Sequence, residues 1–104
     1  MMKITIDYFV IRSPDLKAFV HNTHHVTRTK ILSAAQKFET KEDAELALSL
    51  FIEKSANKSI EYHESLFGDD IDKADKWYQD DLKKIESFKV FCARYSYELL
   101  GEAQ

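Results

Sequence analysis

Four histidines, one cysteine, one tryptophan and eighteen carboxylates are the side chains of this sequence with the most chemistry to offer. His21, His24 and His25 lie close together, and His63 stands well apart. A zinc site asks for three or four ligands converging in a tetrahedron, commonly with Cys or a carboxylate among them. His21-x-x-His24-His25 matches no standard zinc spacing, and adjacent residues of an extended chain point to opposite faces. Loop histidines that add charge near neutrality are the plainer reading, so no metal and no cofactor are expected. The carboxylates come in runs, Asp69-Asp70 and Asp80-Asp81. Acid–base catalysis needs carboxylates in a pocket with separated pKa values, which aspartates strung along a solvent-facing helix do not suggest. There is no Gly-x-Ser-x-Gly elbow and no Cys-centred signature, and two glycines leave little to build a phosphate-cradling loop. Cys92 falls on an apolar stripe and reads as a small buried hydrophobe. The chain is therefore expected not to be an enzyme.

Charge carries more information. The formal net charge is −3. Residues 1–38 hold six Lys and Arg against two Asp, a local +4, and residues 39–104 hold nine against sixteen, a local −7. The sharpest stretch surrounds Trp77: Asp69, Asp70, Asp72, Asp75, Asp80 and Asp81 face only Lys73 and Lys76. Trp and Tyr are enriched where proteins bind one another, so Trp77 ringed by acids reads as a contact surface for a basic partner. The alternative is that the acids simply solvate a helix face. At the basic end, Arg12, Lys17, Arg28 and Lys30 lie near Tyr8, Phe9 and Phe19, a combination that could stack and neutralise a single strand of nucleic acid. The acidic whole and the lack of an RNA-binding signature make nucleic acid the less favoured partner.

Those residues must be positioned by a small scaffold. At 104 residues and 12.2 kDa, one domain is expected. The chain is 44% hydrophobic and 32% charged, as a globular protein with a modest core should be. No apolar run approaches the roughly 18 residues of a membrane span, and no signal peptide is evident. A lone cysteine suits a reducing compartment, so a cytoplasmic location is expected.

Residues 3–12 are rich in β-branched and aromatic side chains, apolar on both faces toward the end, and predict a central strand. Ser13-Pro14-Asp15 supplies turn chemistry, and alternation resumes over 16–21, giving a β-hairpin. An edge strand over 25–30 would complete a β-rich region at 3–30. Thr40, followed by Glu42 and Asp43, is the clearest helix start. Ala44, Ala47, Leu48, Phe51, Ile52 and Ser55 then share one face, which predicts a helix over 41–56. Ile60, Tyr62 and Leu66 alternate, favouring a strand over 59–64 against a loose helical segment. Asp69 or Asp70 caps a second helix, and apolar residues three or four apart run from Ile71 to Leu99 without Gly or Pro. A continuous helix over 70–100 would be about 45 Å long, more than a compact 100-residue domain accommodates. It must break, with Ser87 as the candidate, or project and find a partner. A terminal strand over 88–97 is the minority reading. The fold class is α+β: a small antiparallel sheet packed by a mid-chain helix and a long C-terminal helix.

Ala35-Gln-Lys-Phe38-Glu-Thr40-Lys-Glu42-Asp-Ala44 resembles a pattern in small phage and prophage proteins, a β-hairpin leading into an Ala-x-x-Phe-x-Thr-x-Glu-x-Ala helix entry. The resemblance covers residues 4 to about 51. It implies a protein that binds a host enzyme or defence complex stoichiometrically, as anti-CRISPR proteins do. That group shares no binding motif, so the resemblance assigns no contact residue. The expected function is a non-catalytic protein-binding module, an inhibitor in that setting, using its acidic helix against a host protein with a basic surface. The alternatives are a homo-oligomer paired through Phe91, Tyr95 and Leu99 of the last helix, and a nucleic-acid binder using the basic hairpin.

Overall fold

β1 (Met2–Ser13) opens in strict alternation and ends in consecutive apolar residues, and the two halves meet different surroundings. In the computed structural model, which describes residues 2–68 and 70–102, Val10 and Ile11 are both fully buried, one on each face of the sheet. The turn after Ser13 leads into β2 (Ala18–Asn22), and a second turn into the short β3 (Thr27–Thr29). The sheet order is β3-β2-β1-β4, all antiparallel, with β4 (Lys89–Leu99) returning from the far end of the sequence to lie beside β1. β1 is thus an interior strand of an α+β fold, as its composition predicts.

On one face, Ile11, Ala18 and Val20 pack against Phe51 and Phe88. The two rings meet edge to face with centroids 4.9 Å apart. On the other face, Tyr8 and Val10 lie under Ala35, flanked by Phe19 and Ala93. Ala35 is delivered by a single 3-10 turn at Leu32–Ala34. Phe38 then exchanges two backbone hydrogen bonds with Phe9, at 2.8 and 2.9 Å, on the edge of β1 that β2 has left.

α1 runs from Lys41 to Phe67 and buries the expected stripe. Thr40 caps it, its hydroxyl accepting from the Asp43 N–H. The helix does not stop near Asn57. Residues 59–64 are helical rather than a strand, because Ser55, Ser59 and His63 recur every four residues and face α2. Gly68, at φ 57°, closes the helix in a conformation that favours glycine.

The expected long helix over 70–100 is two elements. α2 covers Ile71–Glu86, capped by Asp70, whose side chain accepts from the Lys73 N–H. Ser87 ends it, and Phe88 turns into the core before β4 begins. Compactness was the wrong premise for that helix length. The molecule measures 69 × 26 × 22 Å with a radius of gyration of 18.3 Å, where a compact chain of this size would have about 13 Å. The elongation comes from the α1–α2 hairpin, reaching past the β2–β3 turn, where Lys54 and Lys58 donate to the His24 and His25 carbonyls, and from the β1–β4 ribbon running the opposite way.

Candidate functional site

β1 and β4 stay paired from Arg12↔Lys89 to Met2↔Leu99, whereas β2 pairs with β1 only at Arg12 and Ser13. Beyond Tyr8, β4 is the only strand beside β1 among the described residues, so Met2–Asp7 and Arg94–Leu99 form a two-stranded ribbon leaving the body. Alternation sorts its side chains by face. One face carries Lys3, Thr5 and Asp7 opposite Glu98, Ser96 and Arg94. Arg94 grips Asp7 with two hydrogen bonds, Nε to Oδ1 at 2.7 Å and Nη2 to Oδ2 at 3.2 Å, and these hold the Asp7 carboxyl below its ordinary value. Cys92 is exposed on this polar face and is not the buried hydrophobe expected.

The other face carries Met2, Ile4 and Ile6 opposite Leu99, Tyr97 and Tyr95. The two tyrosine rings lie 5.4 Å apart. Met2 is 60% exposed, Ile6 48% and Tyr95 54%. Nearer the body the same face continues through Phe91, Tyr8 and Ala93, where Ala35 begins to cover it. Phe91, Tyr95 and Leu99 therefore do share a surface, on a strand and not on a helix. Sequence reading missed Met2, Ile4, Ile6 and Tyr97. Their signal was the period of two at both ends of the chain.

The acidic residues surround α2 and do not line one side of it. Asp70 is spent on the cap, and Asp69 lies outside the described residues. At about 100° per residue, Asp75 and Trp77 stand on opposite flanks, with Asp72 and Asp80 turned outward between them. Trp77 is 47% exposed. Asp81 instead turns toward α1, where Oδ2 accepts from Ser59 Oγ at 2.8 Å and from His63 Nε2 at 2.9 Å. Burial pushes the Asp81 carboxyl up, but the hydrogen bonds from His63 and Ser59 outweigh it and hold the group below its ordinary value. A hydrolytic triad needs the histidine between nucleophile and carboxylate. Here the carboxylate sits between, and the cluster is a bracket joining two helices. Beside it, a cleft of about 370 Å³ opens between the helix tips, lined mainly by Ile60, Ile71, Ala74 and Tyr78 with His63 at its wall.

The basic residues also part company. Arg12 stacks over Phe19, and Arg28 lies over Phe51 and Phe88 on the opposite face of the sheet. Lys17 is in the β1–β2 turn and Lys30 follows β3. His21 bonds to Thr27 and His24 to Lys54, and among the described residues no three His, Cys, Asp or Glu side chains converge as a metal site would require. No helix there is long and apolar enough to cross a membrane.

No protein family, curated protein or solved structure matches the chain.

Proposed function

We propose that this chain is a non-catalytic protein-binding module whose contact surface is the apolar face of the β1–β4 ribbon. The observation that carries the reading is the uncovered row of Met2, Ile6, Tyr95 and Tyr97 on a two-stranded ribbon. Two strands in water are marginally stable by themselves, and a contiguous exposed apolar face is the usual mark of a protein contact. Exposed tyrosines at its centre are the residues that anchor such contacts. Asp72, Asp75 and Asp80, spread around the exposed side of α2, are a second feature, and their role would be to steer a basic partner. In the inhibitor setting implied by the resemblance to phage proteins, the ribbon supplies the anchor on a host protein and the acids supply the steering.

Tagged wild-type chain, a Tyr95→Ser/Tyr97→Ser variant and an Asp72→Lys/Asp75→Lys/Asp80→Lys variant test this by capture from nuclease-treated lysate. A stoichiometric partner kept by the charge-reversed chain and lost by the tyrosine variant supports the ribbon. A partner lost only on charge reversal would move the contact to α2. Capture that vanishes on nuclease treatment would overturn the reading in favour of nucleic acid.

A further inference from the structure

We infer that the ribbon's first occupant is a second copy of this chain, packed face to face about a two-fold axis. The inference rests on the ribbon reading above and names its partner. Charge is the first argument. From Met2 to Val10 on β1 and from Phe91 to Leu99 on β4, every position on this face is uncharged, while the chain as a whole carries −3. Two copies of like charge can meet here without setting like charges against each other. A strongly charged partner, by contrast, would find nothing on this face to complement.

Shape is the second argument. The face is divided lengthwise, with aliphatic Met2, Ile4 and Ile6 on one strand and bulky Tyr95, Tyr97 and Leu99 on the other. A two-fold axis parallel to the strands places the aliphatic strand of one copy against the aromatic strand of its partner, so ridge meets furrow in both halves at once. Area is the third. Six half-exposed side chains at about 100 Å² each give roughly 600 Å² per copy. That approaches the about 800 Å² per partner of a standard interface, and Phe91 and Leu100, both exposed, flank the patch. The open edge of β4 offers an alternative pairing, but strand-to-strand addition there would leave the apolar face in water.

The lone cysteine makes the arrangement measurable. Cys92 is exposed on the polar face, so a nitroxide attached to it leaves the apolar face untouched. Sedimentation should give twice the 12.2 kDa chain mass. Tyr95→Glu or Ile6→Glu should return the mass to that of one chain. Ser96→Glu, the same substitution on the polar face of the same strand, should leave the dimer intact and so controls for damage to β4. Labels at Cys92 should lie beyond about 25 Å, because face-to-face sheets are about 10 Å apart and the labels stand on their outer sides. Label distances under about 20 Å would indicate edge pairing of the two β4 strands, which are only about 5 Å apart when hydrogen-bonded, and would overturn the proposal. So would a dimer indifferent to Ile6→Glu and Tyr95→Glu. A wild-type chain that stays folded and monomeric at sub-millimolar concentration overturns the second copy alone. The capture experiment then still decides whether the ribbon binds a different protein.

Discussion

Asp81 commits its charge to a bond between two helices. Its carboxylate can only accept, so both Ser59 Oγ and His63 Nε2 donate to the same oxygen. The folded chain holds this carboxyl below its ordinary value of 3.8. The stabilisation is therefore fully present above that pH and is lost as pH falls through the lower, folded value. Asp81→Asn should lower stability at pH 7 by about 1 kcal/mol, the half-exposed setting trimming the usual charged hydrogen bond. Urea midpoints of the two proteins should converge as the pH is taken well below the ordinary value of 3.8. Lys17 is a second residue whose conformation carries a consequence. It sits at φ 50° in the β1–β2 turn, where a β-carbon is penalised and glycine is not. Lys17→Gly should raise stability by about 0.5 kcal/mol, the gain reduced by glycine's greater freedom when unfolded, and a shift in thermal midpoint would register it. Val26, at φ 56°, has the same strain but packs beside the Phe51–Phe88 core, so glycine there would forfeit packing.

Between elements, the decisive joint is where α2 gives way to β4. Ser87 Oγ donates to the Lys84 carbonyl. Its bond to Ser13 Oγ, 2.6 Å, must then take its proton from Ser13. Ser13 Oγ in turn accepts from the Leu16 N–H at 3.1 Å. One fully buried hydroxyl thus ties the β1–β2 turn to the point where the helix ends. Ser13→Ala should cost about 2 kcal/mol in a denaturant titration, because it strands the Leu16 N–H as well as removing a bond. This joint also explains what could be read in the sequence and what could not. The hairpin, the Thr40 start and the Asp70 cap follow from local chemistry, and all three form as expected. The helix over 59–64 was obscured because Ile60, Tyr62 and Leu66 mimic a strand's alternation. Yet the buried positions are Ser59 and His63, polar residues that no hydrophobic pattern reveals. β4 was obscured for the opposite reason. Phe88, Cys92, Tyr95 and Leu99 happen to keep helical spacing, and only pairing with β1, from Arg12↔Lys89 to Met2↔Leu99 and so far off in sequence, decides for the strand. The proposed contact face suffered the same loss, since Ile6 and Tyr95 become neighbours only through that pairing.

At the scale of the whole molecule, the shape is set by two projections from one core. The Phe51–Phe88 contact anchors both, with α1 continuing past it in one direction and β4 leaving it in the other. Solution scattering on the Tyr95→Glu variant, as a single chain, should give a radius of gyration near 18.3 Å, well above the about 13 Å of a compact chain. A value near 13 Å would mean that the ribbon folds back and covers its own apolar face.

The long β1–β4 pairing has a further consequence, for the order in which the chain acquires its structure. Met2 sits opposite Leu99, and everything from the β1–β2 turn to the α2 terminus lies between them. Closing so large a loop costs entropy before the contacts return it. The hairpin and the helices can form from local contacts, but β1 must wait for the last strand to arrive. On a ribosome that wait is built into the direction of synthesis. β1 emerges before its mate, with an apolar flank and an unpaired edge, and β4 follows only after the hairpin and both helices have been made. During that interval β1 is the part of the nascent chain most exposed to mispairing, and the aspartate and lysine on its polar flank are the residues placed to discourage it.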